Sequence, residues 1–271
     1  MNNIEIYEML LELIDKKASA MNITESKLNR YYIPEGIELN QNYLERLASS
    51  LQNSGMMHNS IRFNESEERY NHIKAVLCDF DCQKVLDKYK SWEELYAALT
   101  NDGKLDNGTK KDTEEKRTNW GKYAKGLYEG AVFLENDGGN KQIEALCKEP
   151  LTADELNGKI KELREIKRNI HGLGFALTCD WLKECGCYWL AKPDIHIKVV
   201  CSEIDGKHEN ILMSDEAVIK FMFNFSNIVK DKYPDVTPYK LDKIIWLICT
   251  GNFYLEKDKI GRDTILRRLK D

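Results

Sequence analysis

Two groups of residues, close together in the chain, have the types and spacing to do chemistry. The first is Gly172-Leu173-Gly174, set between two runs with helical apolar spacing. Glycines let a backbone bend sharply and let another molecule come close with no Cβ in the way. The amides that open the next helix lack intrahelical partners and sit at the positive end of its dipole, so such a turn offers donors to an anion such as a phosphate. The second group is Lys192-Pro193-Asp194-Ile195-His196. Pro193 breaks the helical pattern and delivers Asp194 at the head of the next segment, where a carboxylate can cap a helix. A carboxylate held there could also stabilise positive charge building on a sugar, or orient an attacking water. One preorganised charge in a water-poor site is worth ~3–4 kcal/mol, by analogy with oxyanion-type stabilisation.

The elements that must position these groups are helical. Ile6, Met9, Leu10, Leu13 and Ile14 predict a first amphipathic helix over 4–18. Residues 30–40 are irregular, interrupted by Pro34 and Gly36. Leu44, Leu47, Ala48 and Leu51 mark a helix that stops in the polar turn Gln52-Asn53-Ser54-Gly55. Ile73, Val76, Leu77 and Phe80 predict another, followed by a short one near Val85. Ser91-Trp92-Glu93-Glu94 and Thr152-Ala153-Asp154-Glu155 are capping boxes, the second opening the helix that leads to Gly172. The polar stretch 101–118 is an exposed insertion, and a long apolar stripe from Trp120 to Leu134 follows it. Beyond the two chemical groups, residues 202–213 form a polar connection. Val218 to Val229 line a further helix, and Thr237-Pro238 starts the last one, with proline at the first helical position. No alternating strands and no internal repeat are visible, so the predicted fold class is all-α.

Composition narrows the classes of function. At 271 residues, with 42% hydrophobic and 31% charged residues, the chain can build a substantial core and is not of disordered composition. No apolar run reaches membrane-spanning length, and the N-terminus lacks a basic-then-apolar signal pattern, so an intracellular, cytoplasmic protein is expected. Eight cysteines without regular spacing read as reduced thiols. Cys179, Cys185, Cys187 and Cys201 give neither paired zinc spacing nor a four-cysteine cluster loop, so no metal and no iron–sulfur cluster are expected. The formal net charge of −5 argues against indiscriminate nucleic-acid binding. Residues 158–200, however, hold eight basic against five acidic side chains, a surplus of three that leaves −8 on the rest of the chain. A solvated helix face with paired charges explains such a surplus nearly as well as a phosphate-facing surface does.

Gly172-Leu173-Gly174 between two amphipathic helices (about 160–186) resembles a helix-hairpin-helix. Pro193-Asp194-Ile195-His196-Ile197 resembles the catalytic-aspartate segment of the helix-hairpin-helix DNA glycosylase superfamily, the group of endonuclease-III-like, alkylbase and 8-oxoguanine enzymes. The resemblance is strongest over about residues 158–205. It implies two helical lobes with a cleft between them, one of residues 30–150 and the other of 1–29 with 151–271. It also implies a monomer that binds double-stranded DNA, flips out a damaged or modified base and hydrolyses its N-glycosidic bond. Asp194 would be the catalytic carboxylate. His171, Gly172, Leu173, Gly174, Phe175, Ala176, Lys192 and His196 would meet DNA, and Gln52 or Asn53 would fill the gap left by the flipped nucleotide. The lyase-active members carry a lysine two residues after the second hairpin glycine; here that place is Ala176, which implies a monofunctional glycosylase. A monovalent cation at the hairpin is compatible with the resemblance.

Base pockets in flipping enzymes are walled by aromatic side chains. Trp120, Tyr123 and Trp189 are the leading candidates, with Tyr128, Trp181 and Trp246 behind them, although aromatics at helical spacing are more often core. Two rivals stand beside the enzyme: a non-catalytic helix-hairpin-helix module in which Asp194 only caps a helix, and a helical scaffold with no affinity for DNA. The biological setting splits between base-excision repair and removal of modified bases from foreign DNA.

Overall fold

The computed structural model describes residues 1–20, 22–32, 42–55, 57–63, 65–100, 118–136, 138–206 and 211–251. The expected irregular stretch, apart from 30–32, and the expected polar insertion, apart from Thr118, lie outside them. Among the described residues there are fourteen α-helices and no strand: α1 (Asn3–Ala20), α2 (Glu25–Tyr32), α3 (Tyr43–Leu51), α4 (His58–Ile61), α5 (Glu67–Val76), α6 (Cys82–Lys88), α7 (Trp92–Thr100), α8 (Asn119–Glu135), α9 (Gly139–Cys147), α10 (Ala153–Asn169), α11 (Phe175–Glu184), α12 (Ile195–Ile204), α13 (Asp215–Lys230) and α14 (Pro238–Thr250). No helix among them is long and apolar enough to cross a membrane.

Short polar side chains set many of the helix starts, because each satisfies an amide that the first turn leaves without a partner. Ser66, Asp81, Thr118, Ser214 and Thr237 each accept a backbone N–H three residues on, and Pro238 follows Thr237 at the first helical position. Both capping boxes form. Ser91 accepts from the Glu94 amide and Thr152 from that of Glu155, while the two glutamates reach back to the Lys90 and Leu151 amides. Two expected helices differ in extent. The one marked by Ile73 stops at Val76, because Cys78, Asp79 and Phe80 take left-handed backbone conformations (φ +52°, +57° and +63°) before Asp81 caps α6. Helix α12 runs on to Ile204, into the expected polar connection, because buried Ser202 accepts the Met213 N–H at 2.9 Å and so has its hydroxyl satisfied.

The chain divides into two compact units. A central unit comprises residues 38–148 and 157–185, and a terminal unit comprises 1–37, 149–156 and 186–271. The 170–174 turn thus groups with residues 38–148, whereas the resemblance placed it with the C-terminal residues.

Helix α8 is the axis of the central unit, packed on α3, α6 and α7. Its buried face is interrupted by small residues where α3 crosses. A Cβ built on Gly130 would lie 2.1 Å from Leu47 Cδ2, and one on Gly126 would lie 2.5 Å from Leu51 Cδ2, so α3 seats itself where α8 has no side chain. Two further bonds hold α3 there: Tyr123 Oη donates to the Ala48 carbonyl at 3.0 Å, and Trp181 Nε1 to that of Tyr43 at 2.9 Å.

In the terminal unit α14 is the central helix, packed against α1, α2, α12 and α13. Tyr239, Leu241, Asp242, Ile244, Ile245, Leu247, Ile248 and Cys249 are all buried, which covers most of the helix circumference and marks an interior helix. At one end, Glu8 of α1 accepts from Tyr233 Oη at 2.9 Å and pairs with Lys232, joining α1 to the end of α13.

The two kinds of helical glycine give opposite expectations. Gly130→Ala must push against Leu47 and is expected to destabilise the protein by about 1–3 kcal/mol through overpacking. Gly158 in α10 is exposed, with nothing within 4 Å of a built Cβ. Its replacement by alanine is expected to stabilise by roughly 0.5–1 kcal/mol. Urea denaturation of both variants, followed by circular dichroism, checks the two signs.

Candidate functional site

The turn at 170–174 is held by four neighbours, Leu51, Ser54, Gly126 and Glu129. Gly172 takes φ +84°, a left-handed conformation that side-chain-bearing residues rarely adopt, and a Cβ on it would lie 3.2 Å from Leu51 Cδ1. Its carbonyl accepts a hydrogen bond from Ser54 Oγ at 3.0 Å. The amide of His171 donates to Glu129 Oε2 at 2.6 Å, and a Cβ on Gly126 would approach the His171 carbonyl oxygen to 2.6 Å. Gly172 is therefore required by conformation and packing, not only by access. Gly174 differs: it is exposed, its backbone is extended (φ −80°, ψ 167°), and a built Cβ would meet nothing within 4 Å.

Gly174 is the N-cap of α11 and carries no capping side chain. Among the described residues the amides of Gly174, Phe175, Ala176 and Leu177 make no hydrogen bond, which leaves a cluster of donors at the positive end of the helix. Phe175 and Leu173 are buried and anchor the turn, while Ala176 is half-buried. Lys125 on α8 pairs with Glu129 at 3.6 Å. Partial desolvation of the His171 ring, followed by the positive charge of Lys125, holds its pKa below the usual histidine value. His171 is thus a neutral donor or acceptor at neutral pH, not a fixed cation.

The basic surplus around the turn is smaller than the count of side chains suggests. Lys159 donates to the Ala145 and Leu146 carbonyls at the end of α9. Lys183 is buried beside Asp180 at 3.6 Å, and Lys198 pairs with Asp215 at 2.5 Å. Lys161, Lys167 and Arg168 on α10 remain as exposed cations with no partner among the described residues, the last two in the turn of helix that precedes residues 170–174.

Asp194, in the terminal unit, is half-buried and is the N-cap of α12. Its Oδ1 accepts the His196 and Ile197 amides at 2.9 and 3.1 Å, and Oδ2 has no partner among the described residues. The segment before it is held from below. Asp242 of α14, only 1% exposed, accepts the Lys192 amide through Oδ2 at 3.3 Å, and the Lys192 carbonyl accepts the Asp194 amide at 2.7 Å. Nothing in the local spacing of 192–196 points to Asp242, 48 residues further on; the one signal is an acid inside an otherwise apolar helical stripe. The Lys192 and His196 side chains are half-buried, and His196 Nδ1 is enclosed without a hydrogen-bond partner.

Several expected site residues have other work. Gln52 is buried and its Oε1 accepts the Phe63 amide at 2.8 Å, so it staples its own loop and is not a free wedge. Asn53 is exposed, with Nδ2 at 3.4 Å from the Ser49 carbonyl. The residue of that turn which reaches Gly172 is Ser54, a small hydroxyl with no signal in the sequence beyond its place after a helix. Trp120, Tyr123 and Trp189 are core, at 1%, 0% and 2% exposure. Trp120 and Tyr123 pack edge to face at 6.1 Å, with the Arg69 guanidinium 5.5 Å from the Trp120 ring centre. Burial pushes the Tyr123 phenol far above its ordinary pKa. Trp181 is also fully buried, and Tyr128 and Trp246 are half-buried.

All eight cysteines are free, and the thiols of Cys185 and Cys201 are pushed up by burial. Among the described residues no three His, Cys, Asp or Glu side chains gather as metal ligands. At the 170–174 turn the Ile170, Gly172 and Gly174 carbonyls accept from Leu173, Ser54 and Thr178, each with a second lone pair to spare. Comparison with protein-family models, with curated proteins and with solved structures found no match.

The cap at Asp194 separates charge from hydrogen bonding. Asp194→Asn keeps an acceptor for the His196 and Ile197 amides and is expected to stay within roughly 0.5 kcal/mol of the parent, whereas Asp194→Ala is expected to lose about 1 kcal/mol. Thermal unfolding of the pair, monitored by circular dichroism, checks the order.

Proposed function

We propose that this protein is a monofunctional DNA glycosylase. It binds duplex DNA, turns a damaged or modified base out of the stack and hydrolyses the N-glycosidic bond, leaving an abasic site. The observation that carries this reading is the state of Asp194: one oxygen fixed by two amides, the other without a partner, in a half-buried position. A carboxylate held in that way cannot rotate out of place, yet keeps an oxygen for chemistry. The uncovered amides of 174–177, with Lys167 and Arg168, support phosphate binding of a kind that positions a duplex without reading its sequence. The two-lobed helix-hairpin-helix fold belongs to the same reading.

In the proposed reaction the bond between the deoxyribose C1′ and the base nitrogen breaks as the electron pair leaves with the base. Positive charge develops on C1′ and the ring oxygen, and the Asp194 carboxylate stabilises it. A water adds its oxygen to C1′, its proton passing to the carboxylate or to the departing base. Ala176 offers no amine, so no Schiff base forms with the opened sugar and the DNA strand stays intact. Repair of damaged DNA and attack on modified foreign DNA use the same chemistry.

A second reading is favoured by the double cap itself, which is reason enough for an aspartate at 194. In that case the protein is a non-catalytic DNA-binding module.

One experiment separates them. The protein is incubated with duplexes carrying a panel of damaged and hypermodified bases, and abasic sites are cleaved with alkali. The enzyme reading expects breaks with the parent protein and a rate lowered on the order of 100–1,000-fold in Asp194→Asn, with DNA affinity kept and falling steeply with salt. Salt-sensitive binding without breaks on any duplex supports the module. Breaks without alkali would overturn the monofunctional assignment, and absence of binding would overturn both readings.

A further inference from the structure

The stretch between α3 and α5, which includes α4, holds a groove of about 340 Å³ that neither reading uses. It lies within the central unit and is lined by Gln52, His58, Asn59, Arg62 and Glu65. Gln52 is its buried member, 9% exposed, and the other four are exposed. The Oε1 of Gln52 is spent on the Phe63 amide, which fixes the plane of the side-chain amide. Nε2 makes no hydrogen bond among the described residues and is not an enclosed atom, so its two N–H groups open onto the groove.

Arg62 is anchored at two points. Its backbone takes a left-handed conformation (φ +53°, ψ 45°) at the end of α4. Nε donates to the Asn59 carbonyl at 2.9 Å, and Nη1 pairs with Glu65 at 3.1 Å. Those two bonds orient the guanidinium and leave Nη2 with no partner among the described residues. The His58 ring supplies one further N–H in either neutral tautomer.

The balance of donors and acceptors decides the class of ligand. The Asn59 carbonyl and the Glu65 carboxylate already face the guanidinium, so the unspent groups of the lining are mostly N–H donors. Such a lining suits a group that accepts on every side, and the fork of an arginine matches the paired oxygens of a phosphate. Glu65 is the one opposing charge. Its pair with Arg62 is more than half exposed on both sides (53% and 56%), and exposed pairs hold weakly, so a phosphate can displace it. Ser54, two residues from Gln52, donates to the Gly172 carbonyl, so the loop that carries the groove rests on the turn that precedes the bare amides of 174–177. We propose that this groove binds a phosphate group, carried either by a nucleic-acid strand or by a small phosphate ester.

The first arm of the test needs no DNA, so it stands or falls apart from the glycosylase reading. The full chain is titrated with inorganic phosphate, with chloride at matched ionic strength as the control, and the amide signals of Gln52 and its loop are followed by heteronuclear NMR. Saturable movement is expected with phosphate and none with chloride. Arg62→Ala is expected to weaken binding about tenfold through the lost charged hydrogen bonds. Gln52→Glu keeps an acceptor for the Phe63 amide but puts a charge where the two donors were, and is expected to abolish binding. Glu65→Gln frees the guanidinium and is expected to tighten binding about threefold, a gain that a merely structural role for the loop would not produce. The second arm separates the two sources, by the salt dependence of binding to an unmodified duplex. A slope lower by about one in Arg62→Ala assigns the groove to a strand phosphate. An unchanged slope, or no binding of the duplex, assigns it to a small ester. Absence of a saturable response to phosphate, parent-like affinity in both Arg62→Ala and Gln52→Glu, or weaker binding in Glu65→Gln would each overturn the proposal.

Discussion

The central unit depends on a backbone approach that tolerates no side chain. At Gly126 the α8 helix comes so near both the Leu51 side chain and the His171 carbonyl that even a methyl group would collide with them. Close packing of this kind has two effects. It seats α3 on α8, and it fixes the 170–172 turn against the same patch of helix. Ser54 and Glu129 then complete the support, one donating to the turn and the other accepting from it. The turn is consequently held by rigid elements on two sides, and its open amides belong to a preformed surface. A preorganised donor cluster of that kind loses little entropy when an anion binds.

The terminal unit solves a related problem with a buried charge. Asp242 sits among the isoleucines and leucines of α14, where an acid is costly unless it is hydrogen-bonded. Its bond to the Lys192 amide, followed by the bond from the Asp194 amide to the Lys192 carbonyl, links the interior helix to the carboxylate at the head of α12. Together with the rigid ring of Pro193, these bonds leave the Asp194 backbone little freedom. Two amides then restrict its side chain. Position is determined by groups that lie behind the carboxylate, while the oxygen that faces outward is left alone.

The sequence carries most of the local structure and little of the support. Apolar residues at helical spacing located the helices, and capping residues such as Ser91, Thr152 and Thr237 located their starts, because both signals are local. Helix extents went astray where a tertiary bond overrode composition, as when Ser202 found Met213 and lengthened α12. Gly172 and Asp194 stood out because backbone conformation and capping impose residue types on short stretches. Gln52, Trp120 and Tyr123 looked equally suited to a site, yet their partners lie inside the protein; an aromatic at helical spacing reads the same whether it walls a cavity or fills a core.

The bond between the His171 amide and Glu129 gives the turn two unlike sides. On the side of α8 a carboxylate already occupies the first amide and presents negative charge, partly balanced by Lys125. On the side of α11 the amides of 174–177 are bare and lie at a positive helix end. An anion placed at this turn would be drawn to the α11 edge and turned away from the α8 edge, so the Glu129 carboxylate confines the electropositive patch to one side of the turn.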